Sequence, residues 1–176
     1  GATLHRGLPV ANTETTIDST GLVGYGASMT IGMDGFGIVA YQDQKNADLK
    51  IAHCTNLNCS TSVVYTLDTG GIVGSDPALI VGSDGLPVIS YRDETNGNLK
   101  FVHCSTMACA TSDLVVLDNI GNVGTHSSIV IGSDGLALVS YYDEGTKDLK
   151  VVHCTNIACT THGNPVTLDS AGDVGS

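Results

Sequence analysis

Apolar and polar residues alternate over short segments of this chain, and no stretch keeps a period of about 3.6 residues long enough to predict a helix. The apolar positions are mostly β-branched, which favours strands. In one unit of this pattern, residues 75–124, we predict four strands, named A to D in chain order: 78–81, 86–91, 99–104 and 114–117. Strands B, C and D are apolar on both faces, as expected of a sheet packed between two other sheets.

The same pattern returns every fifty residues. Its marker is Gly32-Met33-Asp34-Gly35, repeated as Gly82-Ser83-Asp84-Gly85 and Gly132-Ser133-Asp134-Gly135. An Asp-Gly pair between two strands predicts a hairpin turn, here between strands A and B. The third repeat carries one additional residue near 161–163, so that Asp169 follows Asp118 by 51 positions. The sequence is therefore a tandem array of one structural unit.

Four short antiparallel strands in about fifty residues are typical of the blades of a β-propeller. We therefore predict an all-β fold, a propeller-like array of four-stranded antiparallel blades. Its three full repeats occupy residues 25–74, 75–124 and 125–176.

Residues 1–24 match the second half of a blade. Thr16–Asp18 matches the end of strand D in the later repeats, Gly21–Gly24 matches the turn after it, and Ala2–His5 is predicted as a degenerate strand C. Three full repeats and a half blade are too few for a closed ring of about four to eight blades. We therefore expect another chain to complete the structure, with residues 1–24 as the assembly segment.

With these motifs, the chain resembles the secreted bacterial β-propeller repeat proteins and, more distantly, the Asp-box propellers that include sialidases. The likeness covers residues 26–175 and rests on the repeated blades with Asp-Gly hairpins. The Asp-box looks like Ser-x-Asp-x-Gly followed by an aromatic residue, and Ser83-Asp84-Gly85 lacks its spacer. The resemblance implies blades and carries no sialidase activity over to this chain.

Composition narrows the class of protein. The 176 residues include 7 basic and 18 acidic side chains, a formal charge of −11, which disfavours nucleic acid as a partner. Hydrophobic residues make up 41% and the mean hydropathy is +0.16, so the chain has enough apolar material for a core. No apolar run approaches the ~18 residues of a membrane helix, so we expect no membrane insertion.

Six cysteines occur as three pairs with one spacing, between strands C and D. The pairs are Cys54/Cys59, Cys104/Cys109 and Cys154/Cys159. Repeat symmetry favours three local disulfides, since the ends of a hairpin bring α-carbons within the ~5.5 Å that a disulfide needs. The alternatives are a zinc site, for which His-Cys-x4-Cys lacks a fourth ligand, and free thiols. Disulfides indicate an oxidising compartment, so we expect an extracellular or cell-surface protein.

Each repeat carries one histidine and one tyrosine at fixed positions. These are His53, His103 and His153, and Tyr41, Tyr91 and Tyr141. A catalytic or metal site is a single constellation, whereas a residue present in every blade indicates the same interstrand or interblade hydrogen bond in each. We therefore expect structural histidines, and buried tyrosines whose hydroxyl groups have partners.

Oxygen-bearing side chains flank the loop between strands B and C in every repeat. The pairs are Asp43/Asp48, Asp93/Asn98 and Asp143/Asp148, and they are followed by Lys50, Lys100 and Lys150. We expect these oxygens to bind turn amides and to pair with the lysines across the hairpin. A calcium ion could use the same oxygens. No other metal and no cofactor is predicted.

The sequence does not predict an enzyme. Arg6 and Arg92 are the only arginines, whereas a sialidase-like site needs a cluster of them. There is no nucleophile elbow, phosphate loop or HExxH motif. Carboxylates are abundant enough for a glycosidase pair, but none is singled out, so no catalytic residue is predicted.

Two functions remain. The first is a structural extracellular protein that associates with itself, head to tail, into a fibre or a ring. It is predicted from the near-identical blades, the incomplete ring and the local disulfides. The alternative is a carbohydrate-binding propeller lectin or adhesin with one shallow site per blade. Against this alternative, tryptophan is absent and Gln42, Arg92 and Tyr142 differ between blades, which indicates a solvated position rather than a repeated site.

Overall fold

A computed structural model describes residues 14–175, which form three four-stranded antiparallel sheets and contain no helix. Blade 1 consists of β1 (Val23–Ile31), β2 (Gly37–Asp43), β3 (Asp48–Cys54) and β4 (Ser62–Asp68). Blade 2 consists of β5 (Val73–Val81), β6 (Pro87–Asp93), β7 (Asn98–Cys104) and β8 (Ser112–Asp118). Blade 3 consists of β9 (Val123–Ile131), β10 (Ala137–Asp143), β11 (Asp148–His153) and β12 (Val166–Asp169). Strand order follows the chain in every sheet, and the predicted array of four-stranded blades is confirmed.

Strand A differs most from the sequence prediction. In blade 2 it begins at Val73, whereas the alternation predicts a start at Ala78. The register shifts twice between these residues, and Asp76 has a left-handed φ of 48°. A bulge adds a residue to one strand and interrupts the alternation of side chains. The sequence pattern therefore hides the first half of this strand.

The Asp-Gly motif closes a three-residue hairpin loop between strands A and B. In blade 1, the Gly32 N–H donates to the Phe36 carbonyl at 2.8 Å and the Gly35 N–H to the Gly32 carbonyl at 2.9 Å. Asp34 Oδ1 accepts a hydrogen bond from the Phe36 N–H at 3.1 Å. Gly35 has a φ of +82°, a conformation that glycine adopts without steric cost. The same bonds recur in blades 2 and 3.

Adjacent blades pack face to face, and the apolar cores lie between them. We call the side of a blade that faces the preceding blade its front face, and the opposite side its rear face. The first core joins Ile38, Ala40, Leu49 and Ile51 on the rear face of blade 1 to Leu79, Ile89, Tyr91 and Val102 on the front face of blade 2. The second joins Val88, Leu99 and Phe101 on the rear face of blade 2 to Ile129, Val139, Tyr141 and Val152 on the front face of blade 3. The two cores use equivalent positions of the repeat.

Residues 14–22 contain no strand, so the strand D predicted at Thr16–Asp18 is not formed. In the three blades, strand D pairs with strand C of its own sheet, and no such strand lies beside residues 14–22 in the described part of the chain. The strand C predicted at Ala2–His5 lies outside the described residues. Asp18 nevertheless takes the place that Asp68 has in the next repeat, because its carboxylate binds Tyr41.

Candidate functional site

Each blade contains one disulfide between strand C and the loop that follows. The bonds join Cys54 to Cys59, Cys104 to Cys109 and Cys154 to Cys159, with α-carbons 4.8 to 4.9 Å apart. No cysteine within residues 14–175 is free. Because each sulfur is bonded to another sulfur, neither the zinc site nor the free thiols considered from the sequence is formed.

The repeated histidines face the aspartates of the A–B turns. The Nε2 to Oδ2 distances are 2.8 Å for His53–Asp34, 2.8 Å for His103–Asp84 and 3.1 Å for His153–Asp134. In blade 1 this contact lacks hydrogen-bond geometry. The turn aspartate therefore binds the turn through Oδ1 and faces strand C through Oδ2. This is a repeated structural contact of the kind that the sequence predicts.

The carboxylates at the ends of β4 and β8 each bind a tyrosine and a lysine of the next blade. Asp68 Oδ2 accepts a hydrogen bond from Tyr91 OH at 2.7 Å and another from Lys100 Nζ. Lys100 Nζ also lies 3.6 Å from Asp93 Oδ2 in its own blade. The pairing of the lysine within its hairpin was predicted, but its closer partner belongs to the preceding blade.

The same interblade cluster occurs at the other blades. Asp18 Oδ2 lies 2.8 Å from Tyr41 OH and 2.5 Å from Lys50 Nζ. Asp118 Oδ2 lies 2.6 Å from Tyr141 OH and 3.5 Å from Lys150 Nζ, but Lys150 is closer, at 2.9 Å, to Asp143 of its own hairpin, as predicted. Each aspartate precedes its tyrosine by 23 residues and its lysine by 32. The sequence analysis did not predict this cluster, although these constant separations are the signal that could have revealed it.

The interblade cluster of Asp68 and Tyr91 favours an ionised carboxylate and a neutral tyrosine. Burial acts to raise the pKa of Asp68, but the hydrogen bonds from Lys100 and Tyr91 outweigh it and hold that pKa below its usual range. Burial, together with the hydrogen bond to Asp68, raises the pKa of Tyr91 far above its ordinary value. Tyr41 and Tyr141 are shifted in the same direction for the same reasons. These groups keep their charge states near neutral pH, as expected of a contact that holds two blades together.

The aspartate at the end of strand B binds the B–C turn. Asp43 Oδ1 accepts hydrogen bonds from the N–H groups of Lys45 at 3.1 Å and Asn46 at 3.2 Å, and its Oδ2 accepts one from Asn46 Nδ2 at 2.8 Å. Asp48 is its register partner on β3. Asp43 therefore binds the turn as predicted, whereas the Asp48 side chain forms no such hydrogen bond within the described residues. Within residues 14–175, no group of three or more His, Cys, Asp or Glu side chains is placed to hold a metal ion.

The position that differs between blades lies at the blade junctions, and the prediction that it is solvated is wrong. Gln42 and Tyr142 are only 4% and 5% exposed. The contacts are Gln42 Nε2 with the Val73 carbonyl at 3.0 Å, Arg92 Nη2 with Asn122 Oδ1 at 2.8 Å and Tyr142 OH with Asp173 Oδ1 at 2.6 Å. Each side chain thus reaches the segment that leads away from its blade's strand D.

The front face of blade 1 has no blade packed against it among the described residues. Met29 on this face is 61% exposed, whereas the equivalent Leu79 and Ile129 are 4% and 5% exposed. Ile17 and Val39 line an open cavity of about 240 Å³ on the same face. Blade 1 therefore presents an apolar surface of the kind that blades 2 and 3 bury.

The rear face of blade 3 is uncovered in the same sense. Val151 is half-buried there, whereas the equivalent Ile51 and Phe101 are fully buried. Leu168 on β12 is 60% exposed. The two ends of the described array thus carry the two complementary faces of an interblade junction.

The segment that leads from strand D towards the next strand A occurs at both ends of the chain. Residues 18–24 read Asp-Ser-Thr-Gly-Leu-Val-Gly, and residues 169–175 read Asp-Ser-Ala-Gly-Asp-Val-Gly. The Val174 N–H donates to the Lys147 carbonyl at 3.0 Å, as the Val73 N–H donates to the Ala47 carbonyl at 3.0 Å. Both ends of the chain therefore carry the start of a blade connection.

The last glycine of this segment lies close to the backbone of the blade before it. A β-carbon on Gly74 would lie 2.7 Å from the Leu49 α-carbon, and one on Gly175 would lie 3.0 Å from the Leu149 α-carbon. Gly24 has a similar φ of +92°, but no described atom lies within 4 Å of its β-carbon position. Among the described residues, Gly24 therefore has no counterpart of the contact that Gly74 makes with Leu49.

No helix within residues 14–175 is long and apolar enough to cross a membrane. No protein-family model matches the sequence, and no curated protein is similar to it. The predicted resemblance to secreted repeat propellers thus has no support from a sequence family.

Solved structures share the fold at low sequence identity. A protein of unknown function from Dyadobacter fermentans is 13% identical, with a TM-score of 0.60 over 81% of this chain and 41% of that chain. A fucose lectin from Kordia zhangzhouensis, in complex with methyl-fucoside, is 11% identical, with a TM-score of 0.52 over 80% of this chain and 96% of that chain. An α-L-arabinofuranosidase from Lactobacillus brevis is 13% identical, with a TM-score of 0.52 over 82% of this chain and 53% of that chain. This chain spans about two fifths of the first and about half of the third, and these likenesses show the fold alone.

Proposed function

We propose that this protein is a non-enzymatic extracellular repeat protein that associates with itself, head to tail, into a fibre or a ring. The observation that carries the proposal is the equivalence of its two uncovered faces to the two faces that pack at both internal junctions. A second copy can repeat that junction by placing the rear face of its blade 3 on the front face of blade 1. Such a heterologous contact gives a ring if the rotation closes and a fibre if it does not.

The polar groups of the junction also occur at the two ends of the described array, where Tyr41 and Lys50 are bound by Asp18 of their own chain. Asp169 ends β12 as Asp68 ends β4, and both side chains bind the turn that follows in the same way. Asp68 additionally binds the tyrosine and lysine of blade 2, whereas Asp169 binds no such pair within the described residues. Tyr41 and Lys50 of another copy are the equivalent pair. Hydrogen bonds from Tyr41 and Lys50 of one copy to Asp169 of the other would therefore fix how the two copies align.

The disulfides support the extracellular part of the proposal. All three bridges close short loops in a chain of 176 residues. Disulfides persist mainly in oxidising compartments and are rare in the cytosol. They also hold strands C and D together in a repeat whose end faces must remain ordered before they meet a partner.

The association is tested with one charged substitution on each face. Met29→Glu on the front face and Val151→Glu on the rear face should each abolish association, because each introduces an uncompensated charge into an apolar contact. Ile120→Glu is the matched control, since Ile120 is 74% exposed in the turn after β8 and lies outside both end faces. Molar mass is measured by light scattering over a range of protein concentrations.

Mixing the two variants sharpens this test. Met29→Glu retains an intact rear face and Val151→Glu retains an intact front face, so the mixture should stop at a one-to-one dimer. A wild-type protein that remains monomeric at high concentration contradicts the proposal. So does association that survives both substitutions.

Carbohydrate binding is the second candidate function. It is favoured by the fold shared with a fucose lectin, of which this chain covers 96% at 11% identity. A likeness at this identity supplies the fold only, so the ligand must be sought in this chain's own surface. Binding to a glycan array, with and without divalent ions, is the direct measurement.

A further inference from the structure

We propose that a cleft across the junctions of the three blades binds a neutral sugar ring; this inference rests on the second candidate function and assigns it a site. The cleft consists of two adjoining cavities of about 320 and 230 Å³ that share Tyr25 and Glu94 in their walls. The first is lined by Gln42 and Gln44 of blade 1, and the second by Ser75 and other residues of blades 2 and 3. The cavities follow the repeat, because Tyr25 and Ser75 are equivalent positions.

The cleft has an unsatisfied hydroxyl in its wall. Ser75 is only 6% exposed, and its Oγ has no hydrogen-bond partner among the described residues. The equivalent Thr125 uses its hydroxyl to accept a hydrogen bond from Arg92. A buried hydroxyl without a partner is destabilising. The Oγ atom is itself buried, so the serine side chain must rotate towards the cavity before a ligand hydroxyl can bind it and remove this destabilisation.

Two more side chains in the cleft are available to a ligand. Tyr25 is 56% exposed and lines both cavities, so one face of its ring can stack on the apolar face of a sugar. Glu94 is exposed, and its carboxylate has no hydrogen bond or ion pair within residues 14–175. A carboxylate can accept hydrogen bonds from two neighbouring hydroxyl groups.

Charge selects the class of sugar. The second cavity is lined by Asp76, Glu94 and Glu144 against the single cation Arg92. Arg92 Nη2 is already bound to Glu144 Oε2 at 3.0 Å and to Asn122 Oδ1 at 2.8 Å. The cleft is therefore acidic, which disfavours phosphate, sialic acid and uronic acids. A neutral pyranose offers an apolar face to Tyr25 and hydroxyl groups to Ser75 and Glu94.

Saturation-transfer NMR on the full chain tests the site with four probes. These are methyl α-L-fucopyranoside, methyl β-D-galactopyranoside, methyl α-D-mannopyranoside and N-acetylneuraminic acid. We expect saturation of at least one neutral glycoside and none of the acid. Tyr25→Ala should weaken binding about tenfold, since stacking and burial of the ring are lost, and Tyr25→Phe should retain binding. Ser75→Ala should weaken it about three- to tenfold.

Tyr65→Ala is the matched control, because Tyr65 is an exposed tyrosine of blade 1 that does not line the cleft. Its binding should equal that of the wild type. If none of the neutral glycosides is saturated, both the site and the carbohydrate-binding function are wrong. If saturation persists at wild-type strength in Tyr25→Ala and Ser75→Ala, the function stands and this site is wrong. Equal binding of N-acetylneuraminic acid contradicts the selection by charge.

Discussion

Replacing Asp68 with asparagine tests the cluster that joins blades 1 and 2. The carboxylate accepts hydrogen bonds from the Gly70 N–H at 2.9 Å, from Tyr91 OH at 2.7 Å and from Lys100 Nζ. An amide has one oxygen and one NH2 group, so in either orientation a donor faces a donor. Lys100 then keeps only Asp93, at 3.6 Å, as a carboxylate partner.

The expected loss of stability follows from burial. The Lys100 and Asp68 side chains are 10% and 8% exposed, so the substitution leaves a nearly buried ammonium group without its closest partner. Removing one member of a buried ion pair costs about 3 to 5 kcal/mol. Because Asp93 remains near the ammonium group, we expect the lower end, a loss of about 3 kcal/mol in the free energy of unfolding.

Urea unfolding followed by circular dichroism measures this free energy, at a protein concentration low enough to prevent association. Asp169→Asn is the matched control, because it makes the same change at the equivalent position, which lacks the tyrosine and lysine among the described residues. The control should lie within about 0.5 kcal/mol of the wild type. Equal losses for Asp68→Asn and Asp169→Asn would refute the interblade cluster as a source of stability.

Three further predictions use the same unfolding assay. Folding lowers the pKa of Asp68, so the free energy of unfolding should fall as the pH drops below the ordinary pKa of aspartate. Folding raises the pKa of Tyr91, so the free energy of unfolding should also fall as the pH rises above the ordinary pKa of tyrosine, and Tyr91→Phe should remove part of this alkaline loss. Replacing Cys104 and Cys109 together by serine should cost about 2 kcal/mol, the estimate for so short a loop, and an unchanged urea midpoint would contradict it. Gly74→Ala should cost about 1 to 3 kcal/mol more than Gly24→Ala, because both residues have a positive φ but only Gly74 approaches another blade's backbone; equal costs would contradict the close approach.

The fifty-residue period carries most of what the sequence predicts about the fold. Alternation defines strands B and C, the Asp-Gly pair defines the A–B hairpin, and identical spacing favours pairing Cys54 with Cys59. These are local features, so a single chain displays them directly. Strand A was seen only in part because its bulge, with Asp76 in a left-handed conformation, breaks the alternation.

Contacts between blades were harder to predict. Alternation shows that a strand has an apolar face, but it does not show which residue of the next blade lies opposite. The spacing from Asp68 to Tyr91 is constant in every repeat, but it identifies a hydrogen bond only when the packing of one blade on the next is known. The variation from Gln42 to Arg92 was interpreted as solvent exposure, whereas each side chain fits a different partner across its junction.

The cleft was missed for a related reason. Tyr25 and Ser75 lie in the bulged halves of strands β1 and β5, which the alternation does not reveal. The two residues occupy one position of the repeat but differ in chemistry, since blade 1 has an exposed tyrosine ring there and blade 2 has a buried serine hydroxyl. Repeat symmetry identifies shared structural roles, and departures from it indicate where individual blades can have their own chemistry.

Asp18 and Asp169 would compete in the proposed head-to-tail joint. Asp18 accepts hydrogen bonds from Tyr41 OH at 2.8 Å and from Lys50 Nζ at 2.5 Å, and Asp169 of another copy would need the same two groups. A tyrosine hydroxyl donates one hydrogen bond, so the two carboxylates cannot both take this position. Asp18 is therefore expected to oppose association until it is displaced, in contrast to the assembly role that the sequence predicts for residues 1–24.

Asp18→Ala should accordingly strengthen association, because it frees Tyr41 and Lys50 for the incoming carboxylate. Asp169→Ala should weaken it. A hydrogen bond to a charged group contributes about 1.5 to 3 kcal/mol, so each dissociation constant should change by about ten- to a hundredfold, in opposite directions. Sedimentation equilibrium measures these constants, with Asp113→Ala on the exposed side of β8 as a control for the loss of one negative charge. If Asp18→Ala and Asp169→Ala change the dissociation constant in the same direction, the two carboxylates do not compete, and the joint does not reproduce the internal blade junction.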